Sequence, residues 1–377
     1  MITKGYPPAY SSVNSHLVWV FYDANAIDTS KTDYKYVAEV WIEGSKVHTE
    51  RVYPRPAGAF GVFELSGIIR SYVNPVYLPT SEGVVAQQLA VGAFNTGDVV
   101  IKVREEYDGT LGSVVLEDSA RVFFNHYNGL IAGFTVLSNY ADKAATERGK
   151  TIDVLFTTKR YYIPYFATAA GSFNIKINGT TKAIVADDNN SLVLLNVSPY
   201  AINTDYPGTI SSSATSYTVE IAGAVYTFNI VCPGMYTNYV LHWLGKFGGW
   251  ESMLFNKPRK KTVDIERKEY QQLPYRIDDT TGVVSVQSEN LMHEQRTVYS
   301  AVFAEKLKAQ TDLLSDADFN WLAQLVQSPF VMLDDNTTVQ PVVITNNNYE
   351  QKEYVLDRLN NLALDLDFTA KHNTQLR

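Results

Sequence analysis

The stretch FNIKING, residues 173–179, combines a strand pattern with the strongest turn signal in the sequence. Three apolar residues alternate with two polar ones, and Asn178-Gly179 follows them. This dipeptide is favoured in two-residue β-hairpin turns. A similar pair of strand patterns flanks Ala222-Gly223-Ala224. The sequence therefore predicts antiparallel hairpins in the middle of the chain.

The composition extends this β character to the whole protein. Of 377 residues, 45% are hydrophobic and 19% are charged, which is enough apolar material for sizeable cores. There are 25 tyrosines and 17 phenylalanines, whereas long helix-forming stretches are scarce. We predict a mainly β protein with a multi-domain β-sandwich architecture and a few short helices. The net charge of −8 argues against a general nucleic-acid-binding protein, whose binding domain would be basic.

Changes in the sequence pattern divide the chain into three predicted domains. Residues 1–128 are interpreted as an N-terminal β-sandwich, and residues 129–235 as a second β domain that could decorate an assembly. Residues 236–377 are interpreted as a mixed β domain with one amphipathic helix at about 315–328. Near the C-terminus, Leu362 to Phe368 alternates apolar and polar residues, which predicts a strand with one buried face.

Two serines are positioned to begin helices. Ser315 is a predicted N-cap, because Phe319 to Val326 carries apolar residues at helical spacing and a Ser-Pro pair ends the run. Ser66 is predicted to cap a short helix in the first domain, which Asn74-Pro75 would stop.

No segment predicts export or a membrane span. The apolar run Leu17 to Tyr22 precedes Ala24-Asn25-Ala26, which has the form of a cleavage site, but the run is too short for a signal peptide and is interpreted as the first strand. No apolar run approaches the roughly 20 residues of a transmembrane helix. The single cysteine, Cys232, excludes an intrachain disulfide and suits assembly in a reducing cytoplasm.

The sequence predicts no catalytic residues, no metal site and no cofactor. Cys232 and His242 are near each other in the chain, but we expect Cys232 to be a small buried hydrophobe rather than a nucleophile. The carboxylate pairs Asp278-Asp279 and Asp334-Asp335 are expected in turns rather than in a hydrolase site. The histidines are not spaced as pairs of metal ligands.

The segment Leu241–Lys261 is the strongest candidate for a functional site. It combines two tryptophans, a Gly-Gly pair and a basic cluster, and three readings compete. The basic residues and aromatics could bind nucleic acid, Trp243 or Trp250 could stack on a glycan, or the segment could form a subunit contact. A core hairpin with a solvated basic loop is the fourth interpretation. The candidate subunit-contact residues are Gly248, Gly249, Trp250, Phe255, Lys257, Arg259, Lys260 and Lys261.

Several stretches resemble tail proteins of tailed bacteriophages that infect gut Bacteroidetes, including crAss-like phages. The stretches are Tyr239–Lys268, Pro7–Asn14, Tyr53–Pro56, Gly61–Ser66 and Pro341–Leu376. The resemblance implies a non-enzymatic virion structural protein, such as a tail hub, ring, adaptor or baseplate component.

The resemblance further implies a closed ring of copies that contacts other tail proteins. Such a ring would be assembled in the host bacterial cytoplasm and located in the virion tail. DNA could pass through its lumen without specific nucleic-acid binding, and no membrane is implied. The alternative interpretation is a surface glycan-binding β-sandwich protein. A third is an enzyme such as a depolymerase.

Overall fold

The computed structural model describes residues 1–7, 10–56, 58–73, 82–89, 96–124, 140–186, 189, 191–233, 237–257, 260–271, 275–286, 296–312, 314–346 and 361–375. Strands dominate this part of the chain and the helices are few and short, which confirms the predicted fold class. Several β-sheets pack face to face around separate apolar cores.

The first part of the chain forms two sheets that enclose one core. Its elements are β1 (Ile2–Gly5), β2 (Tyr10–Ser12), β3 (Val18–Tyr22), a 3-10 turn (Ala24–Ile27), β4 (Lys35–Ile42), β5 (Ser45–Val52), β6 (Phe60–Glu64), α1 (Ser66–Arg70), β7 (Val85–Leu89), β8 (Thr96–Tyr107) and β9 (Thr110–Phe123). The sheet β1-β3-β6 faces the sheet β2-β9-β8-β4-β5. Trp19, Phe21, Tyr36 and Phe63 fill the space between them.

Two details of this part differ from the sequence prediction. Helix α1 begins at Ser66, and the residue in the N-cap position is Leu65, which makes no side-chain hydrogen bond to the helix. The prediction that Ser66 caps the helix is therefore wrong. The predicted stop at Asn74-Pro75 lies outside the described residues. The predicted first strand, at Leu17 to Tyr22, exists as β3, but β1 and β2 precede it.

The middle part contains the two predicted hairpins. Its elements are β10 (Lys143–Ala144), β11 (Thr151–Val154), β12 (Tyr162–Ala167), β13 (Gly171–Ile177), β14 (Thr180–Ala186), β15 (Ser191–Asn196), α2 (Pro199–Asp205), β16 (Ser216–Ile221) and β17 (Ala224–Ile230). Asn178 and Gly179 join β13 to β14 with φ of 48° and 77°. Both central residues of a type I′ turn have positive φ, so the turn chemistry read from the sequence is the one the chain uses.

One sheet of the middle part, which we call the shared sheet, has the strand order β10, β12, β15 and β7, and its two central strands are buried on both faces. Its β12 and β15 are buried at every position. On one face, Ile163 and Tyr165 pack against the second sheet of the middle part, β11-β17-β16-β13-β14. On the other face, Tyr162 and Leu194 pack against the third part of the chain. The shared sheet is therefore the wall on which the other parts assemble.

The third part is a large antiparallel sheet covered by one helix. Its elements are β18 (Tyr239–Leu244), β19 (Trp250–Phe255), β20 (Lys260–Gln271), β21 (Tyr275–Ile277), β22 (Val284–Val286), β23 (Arg296–Gln310), α3 (Asp316–Gln327), β24 (Val331–Asp334), β25 (Val339–Ile344) and β26 (Ala363–Gln375). The sheet order is β19-β18-β24-β25-β26-β23-β20. The predicted helix and final strand are confirmed as α3 and β26, and the Ser315 hydroxyl accepts the Asp318 N–H at 3.2 Å.

The predicted domain limits at 128 and 235 stay predictions. Strand β7 lies within the predicted first domain, yet it pairs with β15 in the shared sheet. In the other direction, Val240 and Leu254 of the third part join the core of the middle part. The three parts are thus connected by strand pairing and by apolar packing as well as by the chain itself.

Candidate functional site

The turn between β18 and β19 is pressed against the shared sheet. Gly248 has a φ of 90°, a conformation that favours glycine. A Cβ atom on Gly249 would lie 2.3 Å from Cβ of Pro164 in β12. Only a residue without a side chain allows this approach. The Gly248-Gly249 pair therefore serves close packing within the chain.

The aromatic residues of the same segment are buried. Trp250 is 1% exposed and packs with Tyr162, Leu194 and Leu244, while Phe255 is 2% exposed and belongs to the core under α3. Trp243 is fully buried against Trp321. The idea that Trp243 or Trp250 forms a glycan platform is therefore wrong. The surfaces of Trp250 and Phe255 are likewise already used within the chain rather than presented to another subunit.

Of the predicted subunit-contact residues, those that remain candidates are the basic ones just before and at the start of β20. Lys257 pairs with Asp312 at 2.6 Å, and Lys261 pairs with Glu305 at 2.7 Å. Lys260 is exposed at the start of β20. Arg259 lies outside the described residues. For the lysines, a role in assembly stays a prediction.

A buried polar cluster, which we call the junction, joins the middle and third parts. It consists of Arg160, His242, Ser252 and Asp334, all of them buried. His242 Nδ1 lies 2.8 Å from Ser252 Oγ, and His242 Nε2 lies 3.4 Å from Asp334 Oδ2. Arg160 Nη1 donates to Asp334 Oδ2 at 3.1 Å. The Tyr162 N–H donates to Ser252 Oγ at 2.8 Å, which ties the cluster to the shared sheet.

Burial and neighbouring groups shift the pKa values of the two titratable groups His242 and Asp334 in the junction. Burial lowers the pKa of His242, against the opposing influence of Asp334. Burial also acts to raise the pKa of Asp334, but the hydrogen bonds from His242 and Arg160 and the charge of Arg160 outweigh it and hold that pKa below its usual value. We take His242 as neutral, with its Nε2–H toward Asp334, so that Arg160 supplies the charge that balances the carboxylate.

A serine, a histidine and an aspartate in sequence suggest a hydrolytic triad, but the geometry opposes this interpretation. Ser252 and His242 are fully buried, and a substrate must reach a nucleophile to be attacked. The junction is better explained as a buried, hydrogen-bonded polar contact between two parts of the fold. No local pattern in the sequence indicates the junction, because its members come from four separate strands or loops.

A second buried group lies beside the junction, on the other face of β19. Glu251 accepts hydrogen bonds from Thr146 Oγ1 at 2.7 Å and from Trp321 Nε1 at 2.5 Å. Burial raises the pKa of the Glu251 carboxyl to about 7, although these donors and the charge of Arg148 favour the ionised form. Arg148 itself is stacked between rings, 4.7 Å from the centroid of Trp321 and 5.1 Å from that of Tyr161.

The most exposed regular structure is a long hairpin that we call the arm, formed by β20 and β23. Within the described residues, β20 is the last strand of the seven-stranded sheet, and nearly all of its residues are exposed. One face carries charges, with Lys306 Nζ 2.6 Å from Asp264 Oδ2. The other face carries Val263 and Ile265, which are 47% and 49% exposed. Apolar and polar residues alternate along this part of β20 as in a half-buried strand. Its apolar residues Val263 and Ile265, however, lie beyond the core and are exposed.

The remaining sequence candidates carry no site. Cys232 is exposed just after β17, so the prediction that it is buried is wrong. Asp278 accepts the N–H groups of Thr280 and Thr281 in a turn, as predicted. Asp334, by contrast, ends β24 and is buried in the junction.

Neither a group of metal-ligating side chains nor a membrane-spanning helix is found in the described part of the chain. Among those residues, no group of three or more His, Cys, Asp or Glu side chains is placed to hold a metal ion. No helix in the same part is long and apolar enough to span a membrane.

Comparisons with known proteins give no family. No family model matches the chain, and no curated protein matches it. Among solved structures, the SGBP-B protein of the Bacteroides ovatus mixed-linkage glucan utilization locus, in complex with a mixed-linkage heptasaccharide, has 10% identity and a TM-score of 0.14, covering 84% of this chain and 65% of that one. Extracellular domains 3–5 of Drosophila OTK have 7% identity and a TM-score of 0.15, covering 80% and 91%. The chain thus spans just under two thirds of the first structure, and neither likeness carries an argument.

Proposed function

We propose that this protein is a non-enzymatic structural subunit that associates with copies of itself and with other proteins of a bacteriophage tail. The observation that carries the proposal is the arm, whose outer strand β20 has an exposed apolar face and, among the described residues, pairs with a strand on one edge alone. Strands of this kind are normally covered, because an open edge pairs readily with other chains. The phage-tail assignment rests on the sequence resemblance alone.

The rest of the fold suits a scaffold. The shared sheet, the junction and the Gly249 contact connect the three parts through buried packing, so the molecule can hold the arm in a fixed direction. A rigid body that presents an exposed strand such as β20 is a suitable subunit for a closed ring, in which each copy covers an edge of the next.

The test is the mass of the native protein in solution, measured by light scattering after size exclusion. We expect the wild-type chain to be oligomeric, and the double variant Val263→Thr/Ile265→Thr to dissociate. Threonine keeps the β-branched shape of a strand residue while removing apolar surface. The matched control is Val185→Thr/Val225→Thr, at two strand positions that are 51% and 48% exposed on the middle part. It should leave the oligomer intact.

A wild-type chain that stays monomeric at high concentration would refute the assembly role. Proteomic analysis of purified phage particles tests the location separately, since absence from particles would refute the tail assignment and leave self-association standing.

A surface glycan-binding protein remains the second candidate. Its predicted tryptophan platforms are buried, so it would need a different site, and a polar cleft elsewhere in the molecule is the feature that favours it.

A further inference from the structure

Strand β20 carries two exposed charges, Lys260 and Glu266, that form no ion pair with another described residue. The ion pairs of this stretch involve Lys261 and Asp264 instead. Across the arm, Lys260 lies opposite Lys308, and Glu266 lies opposite an apolar residue of β23. Like charges that face each other across two strands are unfavourable. Both Lys260 and Glu266 therefore suit an opposite charge from another chain.

The second edge of β20 is the place where such a chain can add. Among the described residues β20 pairs with β23 on one edge alone, and every residue from Val263 to Tyr270 is exposed. A strand that adds to an open edge forms backbone hydrogen bonds, and its side chains meet those of the edge strand in opposite pairs. The order of charges along β20 therefore decides which strand fits.

A second copy of β20 fits this edge. Both copies offer the same edge, so a two-fold axis relates them and the two strands run antiparallel. With the axis at Val263, Lys260 of each copy faces Glu266 of the other, which makes two opposite-charge pairs. The other opposite pairs contain at most one charge each: Lys261 with Ile265, Thr262 with Asp264, and Val263 with itself.

Repulsion disfavours the other antiparallel registers. A pairing that joins at least seven residues of each β20 has its axis at one of the residues 263–268. An axis at a charged residue places that residue opposite its own copy, which applies to Asp264, Glu266, Arg267 and Lys268. An axis at Ile265 places Asp264 opposite Glu266. The register centred on Val263 has no like charges directly opposite one another.

The same register covers apolar surface. Side chains alternate between the two faces of a strand, so Val263 and Ile265 lie on one face while Lys260 and Glu266 lie on the other. Val263 and Ile265 are 47% and 49% exposed in the single chain. Around the axis, these two residues from both copies form one continuous apolar strip. Burial of this strip on one face thus accompanies the two ion pairs on the other.

We propose that two copies of the chain pair edge to edge through β20, antiparallel and with Val263 on the two-fold axis. The Lys260–Glu266 pairs select this register. The inference rests on the proposed self-association and specifies its contact. An isologous contact uses the same surface of both copies, so it closes at two. A larger ring would be built from such pairs through a second, different contact.

Charge reversal in the full chain tests the ion pairs, with the Kd of self-association measured by sedimentation equilibrium. We expect Lys260→Glu and Glu266→Lys each to weaken association about tenfold or more, since each places like charges opposite one another at two symmetric positions. The double variant Lys260→Glu/Glu266→Lys should recover the wild-type Kd. Mixing the two single variants should also restore pairing, because one copy then offers two glutamates and the other two lysines.

The matched control is Lys268→Glu, a charge reversal at an exposed position of β20 outside the seven paired residues. We expect it to change the Kd by less than about threefold, the effect of an exposed charge without a direct partner. An effect as large as that of Lys260→Glu would contradict the register centred on Val263.

A cysteine on the axis tests the register directly. In a Cys232→Ser background, which removes the exposed native thiol, Val263→Cys should give a disulfide-linked dimer on oxidation with copper phenanthroline in air. Ile265→Cys should not, since its two copies lie four residues apart along the strands, roughly 13 Å. Opposite residues have Cβ atoms only about 4.5–5.5 Å apart. Non-reducing gels measure the yield.

The outcomes separate this contact from self-association as such. Unfolding at the wild-type temperature shows that the substituted chains are folded. A wild-type chain that stays monomeric would overturn both proposals. An oligomer that is insensitive to both charge reversals, or that cross-links through position 265 rather than 263, would overturn the β20 contact and leave self-association standing.

Discussion

The two hairpins that follow one another between Tyr239 and Gln310 are built from similar strand patterns but have opposite environments. Strands β18 and β19 are buried almost throughout, because one face packs on α3 and the other on the shared sheet. Strands β20 and β23 leave the same sheet and extend beyond both partners into solvent. Burial here is decided by what lies opposite each strand, which local sequence does not encode.

The difference is sharpest for aromatic and charged residues. One candidate segment of the sequence, Leu241–Lys261, contains both the tryptophans of the first hairpin and the first lysines of the arm. In the structure Trp250 is buried, whereas Lys261 is exposed. We therefore expect substitutions in the first hairpin to act on stability and those in the arm to act on association.

The largest effect is expected for Trp250→Ala. The substitution leaves a cavity between the third part and the shared sheet, and it should lower the free energy of unfolding by about 3–5 kcal/mol. Chemical denaturation measures the change. Ile265→Ala on the arm is the matched control and should change stability by less than about 0.5 kcal/mol. Equal losses in the two variants would mean that the arm is as well packed as the first hairpin.

The next effect is expected for Asp334→Ala in the junction. Removing this carboxylate leaves the buried Arg160 guanidinium with only the partly exposed Glu82, 3.4 Å from Nη2, which should cost about 3 kcal/mol. Asp264→Ala removes an exposed partner of Lys306 on the arm, and we expect no measurable loss of stability there. The two variants should be compared in the same urea series. A neutral outcome for Asp334→Ala would show that water reaches the junction and replaces the lost acceptor.

A pH-dependent effect is expected for Glu251→Gln. The pKa of Glu251 is raised from 4.5 to about 7 in the folded chain, so the folded state holds this proton more tightly than the unfolded state. Its contribution to stability is therefore favourable at low pH and is lost as pH rises from about 4.5 to 7. The loss is up to about 3 kcal/mol.

Glutamine imitates the protonated carboxyl, so this contribution should disappear in the variant. We expect Glu251→Gln to be more stable than the wild type at pH 8 and similar to it near pH 5. Denaturation curves at several pH values measure the difference. The lowered pKa of His242 acts in the opposite direction, since that histidine must remain neutral when the unfolded chain would protonate it below about pH 6.5. A variant whose stability retains the wild-type slope between pH 5 and 7 would contradict the assignment to Glu251.

The smallest effect on stability is expected for Arg259→Ser/Lys260→Ser/Lys261→Ser. Surface changes of this kind leave the free energy of unfolding unchanged within about 0.5 kcal/mol. We expect oligomer or virion assembly to be impaired, because Lys260 and Lys261 are exposed at the start of the arm. Size exclusion and particle yield measure the outcome. Normal assembly would identify the cluster as solvated charge.

The sequence predicted local structure better than it predicted neighbours. The Asn178-Gly179 turn, the Ser315 N-cap and the alternation in β26 depend on nearby residues, and each is found where the pattern placed it. The surroundings of the candidate subunit-contact residues, by contrast, depend on residues that are distant in the sequence. Trp250 packs against Tyr162, and Gly249 lies against Pro164. Both partners are far away in the sequence, and no local pattern indicates these contacts.

The junction was missed for the same reason. His242 was weighed only against Cys232, its neighbour in the chain, whereas its actual partners are Ser252 and Asp334. A continuous apolar run such as β12 is the one local sign that a strand is covered on both faces, and it could have suggested that the middle part is internal. The chemistry of sites formed between parts of a fold depends on topology that such runs do not specify.

The pairing of β7 with β15 has a consequence for how the chain folds as it is synthesised. Strand β7 emerges early but must wait for its partner until most of the middle part has been made. Closing so long a loop costs entropy before any contact repays it, which slows the step and leaves the backbone of β7 unpaired meanwhile. The order of translation thus sets a period of vulnerability, and shortening the delay between these two strands by circular permutation should reduce aggregation of the nascent chain.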